Sequence, residues 1–246
     1  MENYKMIIQY DGTRYSGWQA QKDTPDTIQG KIENVLSYLF EQPIEISGSG
    51  RTDAGVHALG QVANFHAPKR DTQEILSYLN AHLPKDIAVL SVSEVDERFH
   101  SRLSATGKTY FYRIHTGTVS NVFERKFMYD YPLPLDVNRM KKAASYLIGT
   151  HDFKSFCGNK RMKKSTVRTI SAIEFEEKPD ELIISFTGNG FLMNMVRILT
   201  GTLIEIGDGR RDPDSVPEVL HALDRDAAGY TAPPQGLFLK EVYYDK

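Results

Sequence analysis

An α+β fold of two split-βαβ (ferredoxin-like) halves is predicted for this 246-residue chain by three observations. Residues 1–105 read as β-α-β-β-α-β, from the switching of apolar side chains between period-two and helical spacing. Residues 106–246 repeat that order with one extra helix, β-α-β-β-α-α-β, although the letters themselves do not repeat. No low-complexity stretch separates the halves, so no loose tether is expected between them. Two such units can share one mixed, mainly antiparallel sheet with helices on one face, which leaves the other face free to form a cleft.

The elements follow in order. Residues 4–10 alternate as a strand, and a Gly-containing loop runs on to Pro25. Over 27–40, Ile28, Ile32, Val35, Leu36 and Leu39 recur at helical spacing, with Asp26 or Thr27 as the cap. Residues 43–47 are β-like, 48–55 a turn, and 61–65 the next strand. A second helix spans 72–83, stopped by Pro84, and a further strand covers 87–95. In the second half, 106–115 is a strand, 136–148 a helix, and 166–176 with 182–187 a hairpin about the 178–180 turn. Residues 191–206 form an apolar helix, 215–223 a shorter one, and 237–244 the final strand.

An apolar content of 40% and a charged content of 25% are those of a globular protein with a sizeable core. No apolar run has the length of a membrane span, and MENYKMIIQYDG lacks the basic region, apolar run and cleavage site of a signal peptide. The single cysteine, Cys157, excludes an internal disulfide and a cysteine-rich zinc site. These features predict a cytoplasmic protein without a membrane partner.

A formal net charge of -2 argues weakly against a nucleic-acid partner, but the distribution says otherwise. Lys154, Lys160, Arg161, Lys163, Lys164 and Arg168 form one run with no acid. Arg102, Lys108, Arg113, Arg125 and Lys126 form another against Glu124 alone. Each run alone is as readily a solvated face. Interleaved with Tyr110, Phe111, Tyr112, Phe153 and Phe156, they suggest phosphate contacts beside base-stacking rings.

The segment richest in chemistry is GSGRTDAGVH at 48–57. Gly48, Gly50 and Gly55 permit tight turns and close approach of a ligand to the main chain. Asp53 is thereby presented on a loop that follows a strand, where functional groups commonly sit; capping of its own backbone in an Asx-turn is the bland reading. His57 fits a base, a ligand or a structural role. No His, Asp or Glu cluster at ligand spacing supports a metal.

Arg197 lies in a segment apolar nearly all round, where an arginine requires a carboxylate or a phosphate. Asp53, Glu205 and Glu174 are the candidate acids, and pairing with Asp53 would keep that acid ionised. In GKTYFYRI, alternation puts Lys108, Tyr110, Tyr112 and Ile114 on one face and Phe111 with Arg113 on the other. A tyrosine there packs in the core or offers a surface for a base. APPQGLFL at 232–239 is an abrupt turn into the last strand.

Together these segments resemble the tRNA pseudouridine synthase A family: GRTDAGVHA at 50–58, KTYFYRI at 108–114, FLMNMVRILTG at 191–201 and APPQGLFL at 232–239. YDGTRYSGWQAQ, DFKSF and VRTI are similar too, so the resemblance spans nearly the whole chain. It implies that Asp53 is the catalytic aspartate, with Arg51 on the arginine two residues before it. It also implies that Tyr110 stacks on the target base, that Arg197 pairs with the aspartate, and that Leu237 lines the uracil pocket. The open face becomes an RNA-binding cleft, to which the loop of Lys160, Arg161, Lys163 and Lys164, followed by Arg168, would contribute. The resemblance further implies a homodimer and a tRNA substrate, isomerised at nucleotides 38, 39 and 40 of the anticodon stem-loop.

The implied reaction exchanges the N1–C1′ bond of uridine for a C5–C1′ bond. It needs no redox change, group donor or net water, so no cofactor or metal is expected. A carboxylate can attack C1′, take the C2′ proton to open a glycal route, or add to C6 of the base. The uridine must leave its stack to reach the acid. Two rivals fit parts of the pattern. A non-catalytic RNA-binding module would use the cations and tyrosines but has no need for Arg197 with an acid partner. A uridine-specific glycosylase would begin with the same cleavage and release uracil.

Overall fold

The computed structural model describes residues 1–245. The chain forms two compact units, one of residues 1–106 with the chain from Phe238 onward, the other of residues 107–237.

The first unit contains β1 (Glu2–Tyr10), α1 (Ile28–Phe40), β2 (Ser47–Gly48), β3 (His57–Ala67), α2 (Thr72–His82) and β4 (Ile87–Val95). β1 lies between β4 and β3, antiparallel to both, and β2 adds a short antiparallel pairing to β3. Tyr4 sits opposite Phe65 and Met6 opposite Ala63, so one face of the strands is apolar and buried. Phe65 stacks on Tyr4 at 5.3 Å and meets Phe40 of α1 edge-on at 6.2 Å. α1 starts where the sequence places it: the Thr27 hydroxyl accepts from Gly30 N–H at 3.2 Å, and Ile28, Ile32, Leu36 and Leu39 are buried. Each such side chain contributes about 1.5–3 kcal/mol on burial. Asp71 caps α2 by accepting from Gln73 and Glu74 N–H.

On the opposite strand face, Asn3 and Asn64 are buried and bonded to each other at 3.0 Å. Asn3 donates to the carbonyls of Asp96 and Phe99, and Asn64 accepts from Ser101 N–H. The 96–104 loop is thus fastened to the strands by amides whose hydrogen bonds are satisfied.

The second unit contains β5 (Ala105–His115, from Gly107 onward), β6 (Tyr129–Asp130), α3 (Val137–Ser145), β7 (Gly149–Asp152), β8 (Val167–Lys178), β9 (Glu181–Gly188), α4 (Met195–Gly207) and α5 (Val216–Ala222). Its strands run in the order β6-β5-β9-β8-β7, antiparallel except for β5 with β6. The β8–β9 hairpin turns at Pro179 and Asp180, the latter left-handed with φ of 59°. α4 is buried along its length except at Arg197 and Glu205, and α3 packs against it. Gly201 is required there, because a Cβ would lie 2.0 Å from the Tyr230 carbonyl oxygen.

Both units are α+β with mainly antiparallel strands, in accord with the predicted fold class. Several details differ from the sequence expectation. β3 begins at His57 rather than 61. α4 begins at Met195 rather than 191, because Asn194 is left-handed, with φ of 58°. β6 and β7, of two and four residues, are too short to carry a period. The sequence order places the last strand, β10 (Leu237–Tyr244), in the second half with residues 106–246; from Phe238 it packs with the first unit. Phe238 and Leu239 pair parallel with His57 and Ala58, the Phe238 ring stacks on His57 at 4.7 Å, and the Tyr244 hydroxyl donates to the Ser101 carbonyl. No helix among the described residues is long and apolar enough to cross a membrane.

Candidate active site

The Asp53 loop is built by the segment that precedes α1. Trp18 N–H donates to the Thr52 carbonyl at 3.0 Å, Gly55 N–H to Tyr15, and Gln29 N–H of α1 to Trp18. Residues 15–18 therefore lie between the loop and the helix start. Two close approaches demand glycine: a Cβ on Gly12 would lie 2.0 Å from the Val56 carbonyl oxygen, and one on Gly48 would enter the Trp18 indole. On the other side, Ser49 donates to Gln61 Oε1 and Gln61 Nε2 to the Gly50 carbonyl, at 2.7 and 2.9 Å. The Tyr10 hydroxyl meets the Thr52 hydroxyl at 2.8 Å. Burial pushes the Tyr10 hydroxyl far above the ordinary phenol range, so it stays neutral. Asp53 is held half-buried on this rigid loop, and its carbonyl accepts from Val56 N–H.

Arg51 is exposed, and its Nε donates to Gln19 Oε1 at 2.8 Å. His57 is buried, and its Nδ1 accepts from Gly12 N–H at 3.0 Å. With Phe238 stacked on its ring, this histidine has a structural role, the plainest of those its sequence position allowed.

In the second unit, Tyr110 and Tyr112 are buried on β5, and the ring of Phe191 meets Tyr110 edge-on at 5.3 Å. Arg197 is half-buried. Its Nε donates to the Ala232 carbonyl at 2.7 Å and its Nη1 to Asn194 Oδ1 at 3.1 Å, while Ala232 N–H donates to the Arg197 carbonyl. The Tyr112 hydroxyl donates to the Pro233 carbonyl at 2.6 Å, and Gly236 lies so close to Tyr112 that a Cβ would meet its ring at 2.6 Å. The 232–237 segment is thus clamped to α4 by Arg197 and to β5 by Tyr112, and it carries Leu237, which is buried. Of the acids offered to Arg197 by sequence, Glu205 is taken by Arg211 at 3.1 Å, and Glu174 is exposed on β8.

Tyr112 stood on the same strand face as Tyr110 in the sequence, but nothing there marked it as the fastening of 232–237, a partner 121 residues away. Replacing Tyr112 by phenylalanine is expected to cost about 1–2 kcal/mol by leaving a carbonyl without its donor. The effect should appear in thermal unfolding and in an increased mobility of residues 232–237 by hydrogen exchange.

The two basic runs are not uniform. Lys160 is spent on Asp226, both of whose oxygens lie 2.7 Å away, and this ammonium holds the carboxyl below its usual range. Arg161, Lys163 and Lys164 are exposed, whereas Arg168 is half-buried and donates to the carbonyls of Ser165 and Val167. In the other run, Arg113 is bound to both Glu124 and Glu181. Phe153 and Phe156, read as rings for base stacking, are fully buried core residues instead. Among the described residues no group of His, Cys, Asp or Glu is placed to hold a metal ion.

A model of the tRNA pseudouridine synthase family matches residues 6–103 and 143–245 of this chain. The chain belongs to that family. It is 46% identical over 245 residues to a tRNA pseudouridine synthase A of Bacillus sp. (strain KSM-64), an alignment covering 99% of this chain and 100% of the other. It is 44% identical, with the same coverage, to tRNA pseudouridine synthase A 2 of Bacillus cereus (strain ZK / E33L). With tRNA pseudouridine synthase A 1 of that strain it shares 45% over 247 residues, the whole of both chains. Membership makes the chain an isomerase and decides against a non-catalytic module. Asp53, Arg51, Arg197 and Leu237 fall within the matched stretches, whereas Tyr110 lies in the interval between them.

Proposed function

We propose that this chain isomerises uridine to pseudouridine in tRNA at nucleotides 38, 39 and 40 of the anticodon stem-loop, with Asp53 as the essential group. The observation that carries the reading is the Asp53 loop in a chain of this family: an acid on main chain fixed by Trp18, Gly12 and Gln61. In the proposed reaction the N1–C1′ bond breaks, the uracil turns while bound, and C5 bonds to C1′; the proton leaves C5 and N1 ends protonated. Atoms balance without an added reagent, which is why no cofactor is assigned. Asp53 acts on the sugar or base of the extruded uridine, and Arg51 takes a phosphate or fills the gap it leaves. Tyr110 supplies the surface on which the detached uracil is kept, Leu237 lines its pocket, and Arg197 is the cation assigned to the aspartate.

The test is incubation of the protein with unmodified tRNA and mapping of pseudouridine by sequence position. Product at nucleotides other than 38, 39 and 40 removes the assignment of site, and release of free uracil makes the enzyme a glycosylase.

The exposed side chains of Arg161, Lys163 and Lys164, with Arg168 beside them, are assigned to the tRNA phosphates. Reversal of Arg161, Lys163 and Lys164 to glutamate is expected to weaken tRNA binding about tenfold or more near 0.1 M salt and to flatten its salt dependence. Turnover at saturating tRNA should stay within about twofold, because phosphate contacts position the RNA without taking part in the reaction. An unchanged affinity across salt concentrations would remove this loop from the RNA surface. The protein is proposed to act in the cytoplasm as a homodimer, and sedimentation at twice the chain mass is the expected result.

A further inference from the structure

Arg51 is the one cation of the Asp53 loop, and the way it is held is unusual. Its Nε donates to Gln19 Oε1 at 2.8 Å, and among the described residues no carboxylate pairs with it. Gln19 in turn donates through Nε2 to Gln29 Oε1 at 2.6 Å. Gln29 leaves no freedom in this chain: its oxygen also accepts from Ala20 N–H, while its own amide donates to Glu33 Oε1 at 2.8 Å and to the Ile46 carbonyl. With both ends of the Gln29 amide matched, its oxygen must face Gln19. Gln19 must then offer its nitrogen to Gln29 and its oxygen to Arg51, since the flipped amide would set N–H against guanidinium. A file of aligned amides thus runs from the carboxylate of Glu33 to the guanidinium of Arg51.

We propose that Gln19 is a positioning residue for Arg51, fixing the guanidinium through a neutral acceptor so that its charge stays uncompensated and available to an RNA phosphate. A glutamate at 19 would bind the guanidinium more tightly but cancel the charge; an apolar side chain would leave the charge and lose the orientation. Glutamine does neither. This rests on the reading of Arg51 as a group that meets tRNA, and the experiment separates the two.

Binding of unmodified tRNA is measured from about 50 to 200 mM salt for wild type, Arg51→Ala, Gln19→Glu and Gln19→Met, with thermal unfolding as a check of fold. Arg51→Ala and Gln19→Glu should each bind more weakly at low salt, with log–log salt slopes shallower by about 0.7–0.9, the share of one phosphate contact. Gln19→Met should keep the wild-type slope and bind about 2- to 10-fold more weakly, from the cost of ordering a side chain no longer held. If Arg51→Ala flattens the slope and Gln19→Glu does not, or if Gln19→Met binds like wild type, Gln19 does not position this charge. A wild-type slope in Arg51→Ala overturns the reading of Arg51 itself, and the proposal with it.

Discussion

Asparagine in place of Asp53 should leave a folded, tRNA-binding protein that forms pseudouridine at least about a thousand-fold more slowly. The change preserves volume and replaces only one carboxylate oxygen by an amide nitrogen. The loop's shape is carried by other groups: Thr52 through Tyr10 and Trp18, Gly50 through Gln61, and the close approach of Gly12 to Val56. The thermal midpoint is therefore expected to move by no more than about 2 °C, the scale of less than 1 kcal/mol for a chain of this size. Affinity for tRNA should hold within about threefold, because it rests mainly on phosphate contacts. Pseudouridine mapping beside a binding curve reads both quantities, and a mutant that turns over within about tenfold of wild type would sink the role given to this residue.

The second large effect is expected at Arg197. A lysine there retains the charge but places one compact ammonium where a planar fork now reaches the Ala232 carbonyl and Asn194 Oδ1 together. Both of these acceptors are neutral. Arg197→Lys should lower the rate at saturating tRNA about 100-fold, the usual cost of a lost preorganised donor, with little change in tRNA affinity. Arg197→Ala should do the same and also lower the thermal midpoint by several degrees, since two half-buried acceptors lose their donor. Should Arg197→Lys melt earlier while its rate per folded molecule stays near wild type, the arginine would be a fastening for the 232–237 segment and nothing more.

Local features were well legible. The Thr27 cap, the Pro84 stop, the buried 28-32-36-39 stripe and the 178–180 hairpin turn depend on residues within a few positions of each other. The face of β5 bearing Tyr110 and Tyr112 also followed from alternation, and both tyrosines are buried as that pattern implies. α4 starts later than its apolar run predicts because such a run does not reveal a left-handed residue inside it; Asn194 needs no sequence mark beyond being an asparagine. The basic runs were only half informative. A run gives charges, not their partners, and the acids that claim Lys160 and Arg113 lie 66, 11 and 68 residues away.

By itself the sequence determined the α+β class, the order of most elements, a glycine-rich loop bearing an acid and a cation, and a family likeness carried by four motifs. These are matters of period, composition and adjacent letters, which local sterics and apolar burial translate directly into structure. Tertiary structure alone decided that β10 from Phe238 packs with the first unit and that Tyr112 holds Pro233. It alone decided that Gln19 and Gln29 stand behind Arg51, and which cations remain unspent. Each of these is a pairing of groups chosen by geometry from many chemically equivalent candidates, and distance along the chain carries no record of that choice.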